Sequence, residues 1–452
     1  MAQVRTWIEP IVAGAQIASS FYDTALLLSV KNYYNRTTKF LNTSDSDTLQ
    51  KEISNFYIIH NLILGLSPLL SAYILANIGD RQRRKITICV PLLGYLISRC
   101  FLLPVIFFNW PIEVMFGSAA LNGLTGWFTT YWAGVMAWAS QGSSKEKRSL
   151  KLIIIELVYG LAGFVGSLAS GHIFVIVNIT NHQGTTLVIC SIVLYMFCLG
   201  YSIFILKVPH YKISQPKNTR AQNHGTGEDE TFSTEPAESS RLLDNIGDGP
   251  LVIPTTGTPS RIFIALLFTS AILYNISVAG SVDVLSLFLL KEPLSFSPEY
   301  IGYGNAAGYM IFITSFLGVF ILSRWFRDVK LILIGIISFS AGIFIMAFVR
   351  WTFMYFIART VMMFSLIPLP TIRSVLSKNI QGSSYGKVFV VLQLSLAISG
   401  VITSTVYNKI YQATLERFSG TCFILSGIIA ILSLIPISVT AYKYSTLLQT
   451  SR

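Results

Sequence analysis

Charge is what this chain has least of. Only 12% of its 452 residues are Asp, Glu, Lys or Arg, about half the share in ordinary soluble domains. So few charges cannot cover a water-facing surface, which excludes a soluble globular protein. Histidine and cysteine number five each. No CxxC pair or His cluster occurs, so no metal site or cofactor motif is read, and protons are the one coupling ion considered. No nucleophile stands with a base and an acid, so no enzyme is expected. Cys89, Cys100, Cys190, Cys198 and Cys422 all fall in apolar stretches, which argues against a disulfide framework.

What the chain has is apolar length. It is 52% hydrophobic, in windows long enough to cross a bilayer as helices. Twelve spans are expected, at 7–30, 53–78, 86–108, 111–139, 150–174, 186–208, 260–290, 299–323, 331–349, 352–377, 387–410 and 420–442. The expected fold is an all-α polytopic membrane protein. Glu9 and Asp23 interrupt the first run and no small-residue cleavage site follows, so it reads as span 1 rather than a cleaved signal peptide.

The net charge of +12 follows topology. With both termini inside, cytoplasmic segments hold 23 Lys and Arg, and outer ones hold eight: Lys31, Arg36, Lys39, Lys51, Lys291, Arg350, Lys409 and Arg417. This is the positive-inside bias, not the footprint of a nucleic-acid partner. The loop expected at 31–52 carries "NRT" at Asn35 and "NTS" at Asn42, both glycosylation acceptors. Asn178 has outer parity too, whereas Asn275 lies inside span 7 and is expected to stay unmodified.

Residues 209–258 are rich in Ser, Thr, Pro, Gly and acids and read as a disordered cytoplasmic linker. They separate a six-span half, 1–208, from a second, 259–444, with a tail at 445–452. The halves repeat short motifs. "QGSSKEK" (141–147) answers "QGSSYGK" (381–387), and Asp23 precedes Lys31 by the interval that separates Asp283 from Lys291. Two six-span repeats describe the major facilitator architecture, with substrate held between them. The linker's "ESSRLL" (Glu238, Leu242, Leu243) resembles an acidic dileucine sorting signal, and "YSTL" (Tyr444, Leu447) a tyrosine-based one. Endocytic adaptors, a plasma-membrane location and an endosomal pool are the expectations they raise.

Polar groups within spans are costly and therefore informative. At helical spacing Glu156 shares a face with Gly160, Gly163, Ser167 and Ser170, and small residues let another helix approach. Glu156 either carries a proton as access alternates or is a static hydrogen-bonded acid. Asp23 and Asp283 lie near the outer ends of the first helix of each half. They either handle protons and ligand cations or form a structural clamp. Asp80, Arg81 and Arg84 in "ANIGDRQRRK" partly match the facilitator loop motif and read as a cytoplasmic latch or a plain basic anchor. Pro368 and Pro370 should distort span 10. Arg373 follows and reads as a substrate contact, an inner gate or an interfacial anchor. Arg99 and Arg359 lie deeper and need a carboxylate or water. Asn305, Tyr309, Phe312 and Ser315 in span 8, with Tyr131 and Trp132 in span 4, form a candidate wall for a planar or sugar-containing ligand; helix packing is the alternative.

"RTWIEPIVA", "SNFYIIHNLILGLSPLLSAY", "GSSYGKVFVVLQLSLA" and "STVYNKIYQ" resemble solute carrier family 46, the proton-coupled folate transporter family, over nearly the whole chain. The resemblance implies a facilitator fold and proton-coupled uptake of anionic organic substrates. Folates and antifolates, diaminopimelate-containing muropeptides, cyclic dinucleotides bound for cytosolic sensors, and sulfated steroids are the classes in view. It implies a proton role for Glu156, substrate and proton roles for Arg373, gating roles for Asp80 and Arg84, and a pathway position for Phe312 and Ser315. The chain departs from the folate carrier near Val278, where that carrier has His, and at Ser295, where it has Cys. The expectation is an importer working by alternating access, with a proton-independent facilitator or exchanger and a non-transporting receptor or scaffold as rivals.

Overall fold

The structure is a computed structural model and describes residues 7–40, 46–81, 85–140, 145–176, 184–206, 261–379 and 384–443. Among the described residues the regular structure is helical, with no strand. The first half contains α1 (Glu9–Phe40), α2 (Ser46–Arg81), α3 (Ile86–Cys100), α4 (Leu102–Phe107), α5 (Val114–Leu124), α6 (Trp127–Ser140), α7 (Lys145–Ile176) and α8 (Thr185–Gly200). The second contains α9 (Arg261–Leu290), α10 (Pro298–Leu322), α11 (Asp328–Ala347), α12 (Thr352–Val361), α13 (Pro368–Asn379), α14 (Ser384–Thr414), α15 (Thr421–Leu432) and α16 (Leu434–Lys443). Paired as α3–α4, α5–α6, α12–α13 and α15–α16, they group into the twelve expected passes. Among the described residues eight are long and apolar enough to cross a membrane by length and composition; α2, α5–α6, α12–α13 and α14 are the other four.

One expectation is corrected. The segment 31–52 is not an open loop, because α1 runs on to Phe40 and α2 begins at Ser46. "KNYYNRTTKF" contains no Gly or Pro, so nothing in it stops the helix. Asn35 therefore sits half-buried on α1, while Asn42 and Asn178 lie outside the described residues. So do the linker, both sorting-like motifs and the first four residues of "QGSSKEK". Asn275 is enclosed: its Nδ2 donates to the Leu396 carbonyl and to Ser399 Oγ, each at 3.1 Å.

The pass made by α12 and α13 is broken over Met362–Ile367, and α13 starts at Pro368. Proline has no N–H to donate, so it fits the first turn of a helix better than its interior. Backbone groups freed inside a membrane need partners, and neighbouring helices supply them. Thr314 and Ser315 of α10 donate to the Met363 carbonyl at 2.8 and 2.9 Å. Ser315 Oγ also accepts from Leu366 N at 3.2 Å. Ser338 of α11 donates to the Val361 carbonyl at 2.6 Å and accepts from Phe364 N at 3.3 Å. The Tyr274 hydroxyl of α9 donates to the Ser365 carbonyl. The break is thus held by side chains from three helices.

The halves meet along two seams of different chemistry. On one, α7 lies against α10 through small residues. A Cβ at Gly160 would stand 2.8 Å from Ile313, and one at Gly171 would stand 2.6 Å from the Pro298 carbonyl. On the other, α2 and α14 carry a polar ladder. Asn61 Nδ2 donates to Ser404 Oγ at 3.3 Å, Ser54 Oγ to Asn408 Oδ1 at 3.0 Å, and Gln412 Nε2 to Asn55 Oδ1 at 2.8 Å. Lys51 meets Glu416 at 3.0 Å and Lys291 meets Asp47 at 2.7 Å. Among the described residues these cross-half bonds run from mid-bundle to the end bearing the α1–α2 connection. The bundle is closed at that end.

Candidate functional site

The expected face of α7 is the one that meets the other half. Gly163 abuts the ring of Tyr309, and Gly160 lies beneath Phe312 and Ile313. Ser170 Oγ meets Thr24 Oγ1 of α1 at 2.8 Å. Leu161 and Val165 on the opposite face are exposed. Glu156 is half-buried one turn from Gly160 and makes no hydrogen bond or ion pair among the described residues. A carboxyl group so placed can exchange a proton without first breaking a bond.

Three residues after Glu156, Tyr159 gathers aromatic rings from both halves. Its ring centroid lies 4.9 Å from Trp132 and 5.9 Å from Phe128 on α6, 5.6 Å from Phe312 and 6.2 Å from Tyr309 on α10. Phe128 and Trp132 stack at 5.5 Å. Tyr309 is fixed from behind by Gln16, whose Nε2 donates to its hydroxyl at 2.5 Å. Asn305 lies half-buried one turn from Tyr309. Edge-to-face pairs at such distances are favourable, and a flat apolar ligand would find similar partners here. Trp132, Tyr309 and Phe312 thus come together, with Phe128 and Tyr159 as members the sequence reading missed. The signal was available, because Tyr159 stands at i+3 from Glu156 and shares its helix face.

Two residues assigned to this wall are elsewhere. Tyr131 is buried within the first half with its ring against Tyr95 at 6.1 Å. Its neighbour Trp132 takes the seam-facing position because adjacent helical residues point about 100° apart. Ser315 is 2% exposed and engaged in bracing the broken pass, so it faces its own half.

Arg99 has the enclosure its position demanded. It is 3% exposed on α3. Its guanidinium carbon lies 4.2 Å from the ring centre of Tyr22, 4.7 Å from Tyr95 and 5.2 Å from Tyr195, and Nη1 donates to Ser98 Oγ at 2.8 Å. Cation–π attraction strengthens where water is excluded. Asp23 is within electrostatic reach of Arg99 but does not form a direct ion pair with it. Asp283 of α9 lies close to Ser404, which accepts from Asn61 at 3.3 Å, so this acid sits beside the α2–α14 ladder. Arg359 Nε donates to the Tyr355 hydroxyl at 2.9 Å, which in turn donates to the Gly304 carbonyl at 3.0 Å; this cation ties α12 to α10. Arg373 is half-buried on α13 with its Nε shielded from solvent. The side chains of Asp80 and Arg81 at the end of α2, and the whole of Arg84, lie outside the described residues. Among the described residues no group of three His, Cys, Asp or Glu could hold a metal ion.

Residues 53–404 match the Major Facilitator Superfamily. The chain is 50% identical to solute carrier family 46 member 2 of Canis lupus familiaris, covering 99% of this chain and 95% of that one. It is 49% identical to the Mus musculus protein of that name, covering 98% and 93%. It is 31% identical to a lysosomal proton-coupled steroid conjugate and bile acid symporter of Gallus gallus, covering 88% and 81%. Among solved structures, a D-xylose-proton symporter superposes with a TM-score of 0.65 at 11% identity, over 94% of this chain and 96% of that one. The human organic anion transporter MFSD10 superposes with a TM-score of 0.58 at 13% identity, over 95% and 98%. Likeness at such low identity speaks to the fold alone. Family and fold agree: the chain belongs to solute carrier family 46 within the major facilitator superfamily, and is a multi-pass secondary transporter, not an enzyme.

Proposed function

We propose that the protein is a proton-coupled importer of anionic, medium-sized organic molecules. The observation that carries this reading is Glu156, an acid without a bonded partner on the seam between the halves, one turn from the cross-half aromatic cluster. In an alternating-access cycle Glu156 loads a proton while the α1–α2 end is open, which the charge bias assigns to the outside. Substrate then enters between the halves, and its ring system lies against Tyr159, Trp132, Phe312 and Tyr309. Arg373 meets its anionic group. The α2–α14 ladder closes behind it, the Asp80, Arg81 and Arg84 latch releases, and proton and substrate leave to the cytosol. Diaminopimelate-containing muropeptides, cyclic dinucleotides, antifolates and sulfated steroids are the substrate classes proposed. The related chicken symporter, named for steroid conjugates and bile acids, supports the last of these. Location in the plasma membrane with an endosomal pool, cytoplasmic termini, glycosylation at Asn35 and Asn42, and adaptor binding through the two sorting-like motifs belong to the same proposal.

The test is uptake of a labelled diaminopimelate muropeptide, and in parallel of estrone sulfate, into vesicles at acidic and neutral outside pH. Wild type and Glu156→Gln are compared. Acid-stimulated uptake by wild type, with binding kept and stimulation lost in the variant, supports the reading. Equal transport by both proteins at both pH values leaves a proton-independent facilitator. Binding without accumulation leaves a receptor.

A further inference from the structure

Asp23 has an unusual setting for an acid within a membrane span. Its neighbours Tyr22 and Thr24 are buried, yet Asp23 itself is exposed. That exposure faces inward, because Tyr22 beside it packs on the buried Arg99 at 4.2 Å and the Asp23 charge acts on ionisable groups of many helices. They are Tyr22 on α1, Tyr57 on α2, Tyr95 and Arg99 on α3, Tyr159 on α7, Tyr195 on α8 and Tyr309 on α10. His60 on α2 feels the charge of Arg99. Neither Glu156 on α7 nor Asp283 on α9 has an electrostatic link to Asp23. The one local hydrogen bond to Asp23 is long, from Ser19 at 3.4 Å.

Arg99 differs from Asp23 in every respect that matters here. It is sealed behind three tyrosine rings, cannot reach the space between the halves and keeps its charge at all accessible pH values. The two charges therefore form an asymmetric pair. The cation is permanent and immobile, while the anion is open to water and can be cancelled by a proton.

We propose that Asp23 and Arg99 form a proton-switched anion site in the space between the halves. With Asp23 ionised, the two charges offset one another and the space offers an anion no attraction. With Asp23 protonated, the field of Arg99 is uncompensated. A sulfate, phosphate or carboxylate group then settles at Asp23, taking a hydrogen bond from its carboxylic O–H and, beside it, from the hydroxyls of Tyr57 and Tyr309. Proton and anion bind cooperatively because each removes the other's electrostatic penalty. Arg99 is a positioning residue in this scheme and never touches the ligand. The assignment deepens the symport reading by giving anion selection a place separate from Glu156, yet it can be tested without transport.

The experiment measures equilibrium binding of estrone sulfate, and of uncharged estrone as control, to purified full-length protein at acidic and neutral pH. Wild type should bind the sulfate about ten-fold more tightly in acid, within the usual span of coupled sites, and estrone equally at both. Asp23→Asn, which holds the neutral state permanently, should bind the sulfate at neutral pH as tightly as wild type does in acid, with no pH dependence. Arg99→Lys should keep the response. Arg99→Gln, if it folds, should bind the sulfate no better than estrone. The idea is overturned if Asp23→Asn keeps the wild-type pH response or binds more weakly at both pH values. It is equally overturned if wild type does not favour the sulfate in acid. Proton-driven uptake in vesicles is scored separately. If it is absent while the Asp23→Asn result holds, the symport reading fails and the anion site stands.

Discussion

Lys291 Nζ lies 2.7 Å from a carboxylate oxygen of Asp47, and the two residues belong to different halves. Lys291 also donates to the Leu415 carbonyl at 2.7 Å, so one cation ties together the ends of α9, α2 and α14. Its side chain and that of Asp47 are only 13% and 17% exposed. The neighbouring Lys51–Glu416 pair is 40% and 70% exposed.

These exposures make the two pairs unequal. Removing one member of a shielded pair leaves its partner poorly solvated, whereas exposed pairs contribute little. Lys291→Ala should weaken closure of this end by about 1–3 kcal/mol, and Lys51→Ala by less than about 1 kcal/mol. A cysteine placed at Gly400, one turn before the first rung at Ser404 and where a Cβ meets nothing within 4 Å, in a background lacking the native cysteines, reports on closure. An impermeant thiol reagent should label it faster in Lys291→Ala and at the parental rate in Lys51→Ala. Equal acceleration in both would remove the special role of Lys291.

Among the described residues the α7–α10 seam has one such bond, between the Tyr303 hydroxyl and His172 Nε2 at 2.9 Å, and otherwise depends on closeness. At Gly163 a Cβ would run into the ring of Tyr309. Gly163→Leu should therefore destabilise the closed form by about 1–3 kcal/mol, the cost of overpacking. Gly117→Ala, where a Cβ meets nothing within 4 Å, should be neutral. Thermal unfolding in detergent with transport assayed alongside separates the two; a melting temperature unchanged in Gly163→Leu would refute the close fit.

Ser315 offers a sharper choice, between a pathway role and a bracing one. Its hydroxyl satisfies both the Met363 carbonyl and the Leu366 N–H in the break of the α12–α13 pass. Ser315→Ala leaves two buried backbone groups without that partner, at roughly 1–3 kcal/mol. Stability should fall while the ranking of substrates by kcat/KM stays as in wild type. A changed ranking with normal stability would return Ser315 to the pathway.

How far the sequence foretold this molecule depended on the range of the interaction. Span number and the two-half division rest on apolar length and charge bias, which are local and additive, so they were legible. The inward face of α7 was legible too, because Glu156, Gly160, Gly163, Ser167 and Ser170 obey one helical period. The partners of Arg99 were not, since Tyr22, Tyr95 and Tyr195 come from three helices whose packing no single segment encodes. The same holds for Lys291 with Asp47 and for the α2–α14 ladder. Tyr131 and Ser315 misled for a related reason. Tyr131 is next in sequence to the seam-facing Trp132, and a helix turns adjacent side chains to different neighbours, while Ser315 meets the Met363 and Leu366 backbone of another pass.

The aromatic cluster gives the last prediction, and it concerns selectivity. Tyr159 touches rings of both halves, so a flat substrate lying on Trp132 and Tyr159 would replace the Tyr159–Phe312 contact across the seam. Ring contacts of this kind contribute about 0.5–1.5 kcal/mol each beyond area burial. Tyr159→Leu and Trp132→Leu keep apolar bulk but lose the ring face. Each should weaken binding of a ring-bearing anion such as estrone sulfate by roughly three- to ten-fold. Dodecyl sulfate, with the same charged group on a flexible chain, should bind within about two-fold of wild type. The paired comparison matters because damage to the fold would lower both affinities together, whereas loss of a ring platform lowers only one. If the two ligands weaken in parallel, the cluster is packing between the halves and not a surface that substrate uses.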